Sequence, residues 1–77
     1  MTLDHQLSAL VSQARAAVAE RAGRLVALFV VAPHDVDLEA ARAALAARLG
    51  AVGLGAVEVV VEARSGPLRV VRMEFQR

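Results

Sequence analysis

The chain has two histidines, and each stands beside carboxylates: Asp4 next to His5, and Asp35 and Asp37 just past His34. Imidazole and carboxylate together suit nickel, zinc or copper. A site built from His5, His34, Asp4 and Asp35 requires that the fold bring residues 4–5 and 34–35 to one pole. Residues 3–22 read as a helix and residues 24–32 as a strand, joined at Gly23 and running antiparallel. At about 1.5 Å per helical residue and about 3.3 Å per strand residue both are roughly 30 Å long. The helix start is therefore expected to return to the strand end. The competing reading is structural, and it is the stronger one. Asp37 caps a helix, Asp35 makes turn bonds to its own backbone, and the histidines are solvated. No tight ligand motif such as H-E-x-x-H occurs. Ser8 and Ser65 have no oriented base beside them, and no glycine loop has a phosphate-binding context, so no enzyme is expected. No cofactor is expected beyond nickel or zinc at the histidine pole.

The elements follow from periodicity. Leu3, Leu7, Leu10, Val11, Ala14, Val18 and Ala22 recur at helical steps, with Thr2 as N-cap and Gly23 as stop. "RLVALFVVA", residues 24–32, reads as a strand between glycine and proline. Its Leu25, Ala27, Phe29 and Val31 point one way, and Val26, Leu28 and Val30 the other. Residues 38–49 form a second helix behind Asp37, with Glu39 in the first turn, where the helix dipole favours an anion. Gly50 is the expected stop of that helix, and residues 50–55, "GAVGLG", are a loop read first as a flexible helix exit. Residues 56–62 and 68–75 are strands, joined through Ser65-Gly66-Pro67 and read as a hairpin.

The fold class is thus α/β, an α+β two-layer arrangement in αβαββ order. One domain spans 1–77, with a three-stranded mixed sheet and both helices on one face. The β–α–β crossover is expected to be right-handed and parallel. With a hairpin at the end, the first strand falls at a sheet edge. The second sheet face then carries apolar surface from Val26, Leu28, Val30, Val60 and Val70. An apolar edge and face invite pairing, so a homodimer or a protein partner is expected. The alternative is that Arg69, Arg72 and the glutamates cover that face with their aliphatic stems.

Composition narrows the function. The 77 residues are 57% hydrophobic with only Phe29 and Phe75 aromatic, and the chain has no cysteine. Such a composition can pack, so disorder is not expected, and the lack of cysteine excludes disulfide staples and thiolate zinc sites. The run Leu25 to Pro33 falls well short of the ~20 residues a membrane span requires, and no signal peptide is read at the N-terminus. The expected location is the cytoplasm. All nine basic residues are arginine and are nearly balanced by eight acids, for a net charge of +1. Nucleic-acid binding therefore lacks its usual electrostatic drive. "GAVG", Gly50 to Gly53, does match the glycine-x-x-glycine loop of KH domains. A degenerate KH-like fold using that loop with Arg48 and Arg64 is the alternative function.

"HQLS" at His5–Ser8, "DVDLEA" at Asp35–Ala40 and "SGPLRVVRMEF" at Ser65–Phe75 together resemble the HypA-type hydrogenase nickel-incorporation proteins. In that family the N-terminal domain has this element order, interrupted by a cysteine-rich zinc ribbon that is absent here. The resemblance implies a non-enzymatic accessory protein that works through partners. It also implies a nickel site around the N-terminal histidine, here His5 with Gln6 in place of the family's glutamate.

Overall fold

The computed structural model of the chain describes residues 3–21 and 23–77. The element order is α1 (Leu3–Glu20), β1 (Arg24–Ala32), α2 (Leu38–Ala51), β2 (Glu58–Ala63) and β3 (Arg69–Gln76), the αβαββ order expected. Thr2 and Ala22, expected as cap and last stripe residue of the first helix, lie outside the described residues. α1 buries Leu7, Leu10, Val11 and Ala14, a single stripe at three- and four-residue steps. Gly23 follows with φ +117°, and a Cβ there would lie 2.9 Å from the Gln76 carbonyl oxygen. Both the backbone angle and the close approach of β3 require glycine.

The sheet is mixed and three-stranded, in the order β2-β1-β3. β1 pairs parallel with β2, Phe29 opposite Val60 and Val30 opposite Val61. It pairs antiparallel with β3, Leu28 opposite Met73 and Phe29 opposite Arg72. This corrects the hairpin expectation: β2 and β3 flank β1 and do not pair with each other. The loop between them crosses the end of β1, where the Arg64 N–H donates to the Ala32 carbonyl at 2.9 Å. The segment need only cover two strand spacings, about 10 Å, which the residues between Ala63 and Arg69 span easily. The physical reason is burial. β1 is apolar on both faces, and the centre of the sheet is the one position that gives such a strand a neighbour on each side.

The facing of β1 is corrected as well. The β1–β3 register shifts between Leu25 and Ala27, and again between Phe29 and Val30. The first shift adds Val26 to β1, and the second adds Val71 to β3. Such bulges reverse the alternation beyond them. Leu25, Leu28, Val30 and Ala32 consequently all join the core under the helices. Ala27, Phe29 and Val31 turn to the opposite face. Leu28 and Val30, expected on the open face, are 0% and 2% exposed.

α2 contributes Ala41, Leu45 and Leu49 to the buried set, and Val57 and Val59 join it from the start of β2 and the residue before it. Among the described residues no polar or charged residue is buried, and no helix is long and apolar enough to cross a membrane.

Candidate functional site

The segment between β1 and α2 holds His34 and is built as a turn and a helix cap. The Val36 N–H donates to the Pro33 carbonyl at 3.1 Å, leaving His34 and Asp35 at the exposed corners of the turn. Asp37 follows in extended backbone, φ −69° and ψ 109°, and its carboxylate accepts from the Ala40 N–H at 3.1 Å. That bond satisfies one of the four N–H groups a helix start leaves unpaired. One turn on, Arg42 pairs with Glu39 and holds the Glu39 carboxyl below its ordinary pKa, first by hydrogen bonding and then by charge.

Asp4 and His5 do not join this turn. The Arg48 guanidinium donates to the Asp4 carboxylate and, at 3.0 Å, to the Ser8 hydroxyl. Arg48 sits in the last turn of α2, whereas His34 and Asp35 precede its first. Those ends lie about 15 Å apart along the helix axis. The start of α1 therefore packs at the end of α2 rather than returning to the end of β1. Among the described residues, no three histidine or acidic side chains form a group able to hold a metal ion. The four-donor set His5, His34, Asp4 and Asp35 is not assembled, and the residues present do not fit a resident nickel or zinc.

The Gly50–Gly53 stretch is a helix terminus. α2 runs through Gly50 to Ala51, and Gly53 takes φ +83°. The Leu54 N–H donates to the Leu49 carbonyl at 2.8 Å, and the Gly53 N–H to the Gly50 carbonyl at 3.2 Å. Leu54 packs on the core cluster that contains Leu49. This is a Schellman stop, with its paired bonds and its apolar contact. The Gly53 and Leu54 amides are thereby spent inside the chain. Arg48 faces Asp4, and Arg64 lies 3.4 Å from Glu62.

Of the five residues expected at an interface, Leu28 and Val30 are core, and Val70 packs against it. Val26 is half-buried at the bulge. Val60 alone lies on the open face, opposite Phe29. That face is already covered in part: the Arg72 guanidinium lies over the Phe29 ring at 5.6 Å and pairs with Glu74 at 2.7 Å. Val31, on the same side, is 1% exposed. Covering by arginine stems, the alternative weighed from sequence, describes this face well.

The surface that stays open is elsewhere. β3 has β1 on one side and, among the described residues, no strand on the other. Beside it runs an open groove of about 330 Å³, lined by Gln13, Ala17 and Arg21 of α1 and by Phe75 and residues 70–73 of β3, Arg72 among them. Val71 is 51% exposed, the most exposed large hydrophobic residue among those described. Arg21 covers the Phe75 ring at 5.0 Å. Simple alternation along β3 would put Val71 on the core face with Met73 and Phe75, but Val71 is the extra residue of the bulge and stands exposed. The visible signal was the charged pair Arg72 and Glu74 in the middle of the strand, the usual mark of a sheet edge.

Comparison of the chain with protein-family models, with curated proteins and with solved structures finds no match.

Proposed function

We propose that this chain is a small, non-enzymatic, cytoplasmic interaction module whose working surface is the β3 edge and the groove beside it. The observation that carries this reading is the exposure of Val71 on a strand whose outer edge is unpaired among the described residues and which borders a groove of mixed polar and apolar lining. An edge strand offers a row of unpaired N–H and C=O groups to an incoming strand, and neighbouring side-chain pockets add selectivity. Support for a non-enzymatic role comes from the titratable side chains, which lie at the surface in turns, caps and ion pairs. The element order shared with the HypA-type proteins favours an accessory role exercised through a polypeptide partner. The donor geometry speaks against nickel delivery from His5, and the Schellman bonds speak against a KH-like nucleic-acid clamp.

The test compares the wild-type chain with Val71→Lys, an exposed substitution that places a charge on the edge. Each is expressed at native level in its own cells, and the native mass of the tagged chain is measured in extract. The wild type is expected in an assembly well above its 8.1 kDa chain mass, and Val71→Lys near the monomer. Wild type and variant both running as monomers would remove the reading.

A further inference from the structure

We infer that the occupant of the β3 edge is a second copy of this chain, paired antiparallel, β3 against β3, about a two-fold axis at Met73. This inference rests on the reading of β3 as the working surface and names its partner. The argument is charge complementarity along one strand. Arg72 and Glu74 flank Met73, lie on the same sheet face, and pair with each other at 2.7 Å. In an antiparallel pair centred on Met73, Arg72 falls opposite Glu74 of the other copy, and Glu74 opposite its Arg72. Residues directly opposite in such a pair have Cβ atoms about 5 Å apart, so two cross-strand ion pairs close a four-charge ring of alternating sign. Val71 falls opposite the other copy's Phe75, which covers the exposed valine with the larger of the two groove side chains. The axis stands perpendicular to the joined sheet, so all four helices share a face and the charge ring lies on the other.

The second edge of the sheet does not offer the same match. β2 paired with itself about Val60 sets Glu58 against Glu62 on both sides, and like charges directly opposite are destabilising. β1 has no edge. Pairing β2 of one copy with β3 of the next would leave an open edge at each end and would build a chain of subunits rather than a closed pair.

Two measurements on the purified full chain test the pairing. The chain has no cysteine, so single-thiol variants report unambiguously. Met73→Cys is expected to form an intermolecular disulfide under mild oxidation. Val71→Cys is not, because its two copies stand four residues apart along the ladder, roughly 13 Å. In sedimentation, Arg72→Glu alone and Glu74→Arg alone are each expected to run as monomers, and an equimolar mixture of the two to recover the dimer. The mixture restores only the pairs between chains, so recovery cannot come from a repaired fold. A purified wild type that stays monomeric, a ladder of higher masses, or a dimer indifferent to both charge reversals would overturn the inference. A monomeric pure chain that is nevertheless assembled in extract, with assembly lost in Val71→Lys, would overturn the self-pairing while leaving the edge as a docking site for another protein.

Discussion

Arg48, in the last turn of α2, holds Asp4, in the first turn of α1, and so fastens the two helices at one end of the molecule. The carboxylate faces a cation of its own chain, which is why it does not stand among metal donors. Replacing Arg48 by methionine keeps the apolar stem and removes the charge. The Asp4 side chain is 76% exposed, so the expected loss is about 0.5–1 kcal/mol, shrinking at high salt. Asp4→Asn should cost about as much, and the double variant little more than either alone. Urea titrations of the four proteins read the coupling directly.

The two glycines that bracket the end of α2 should respond in opposite directions. Gly53 sits at φ +83° with nothing within 4 Å of where an added methyl group would stand, so Gly53→Ala meets no clash and bears only backbone strain. A loss of about 1–2 kcal/mol is expected. Gly50 lies within the helix, and its nearest neighbour to an added Cβ is Gly55 Cα at 4.0 Å. Gly50→Ala should stabilise by about 0.5–1 kcal/mol. Both are read as shifts in the denaturation midpoint with an unchanged slope.

The bulges make a prediction of their own about facing. Leu28→Ala empties a site that is 0% exposed and should cost about 2–5 kcal/mol. Val71→Thr, on the exposed side of the β3 bulge, should change stability by no more than about 0.5 kcal/mol. Measured at dilution, a large loss for Val71→Thr with a small one for Leu28→Ala would restore the alternation without bulges.

Acid should loosen the first turn of α2 through Glu39. Its carboxyl pKa is lowered by Arg42 in the folded chain, so the folded state favours the ionised form. That contribution is complete above the ordinary glutamate range and fades as pH falls through the lowered value. An NMR titration of the Glu39 side chain should give a midpoint below that of Glu39 in an Arg42→Ala variant. Equal midpoints would show that the pair does not persist in solution.

Much of the architecture was legible because its signals are local. The Asp37 cap, the glycine after α1 and the proline after β1 set element ends, and residues 24–32 form the strand as read. The strand order was not legible, because Ser65-Gly66-Pro67 turns the chain equally well in a hairpin or across the end of β1. Only the demand of β1 for two neighbours separates those outcomes. The phase of β1 was hidden for a related reason. In "RLVALFVVA" both faces are apolar, so a slip of one residue at Val26 leaves no polar mark. The candidate metal site failed on direction: a helix length equal to a strand length does not fix where the helix starts, and the Arg48 contact draws α1 across the far end of α2. The helix exit at "GAVG" was legible from its glycines, but α2 runs one residue past Gly50 to Ala51, and the Leu49–Leu54 spacing carries the apolar contact of the stop.

The place of β1 in the sheet also bears on how the protein is made. The strand leaves the ribosome early, yet both of its neighbours, residues 58–63 and 69–76, are synthesised after α2. Until then a nine-residue strand, apolar after Arg24, has no ladder on either side, a state prone to self-association. The sheet closes only when the residues of β3 are in place, so β1 gains its second neighbour last.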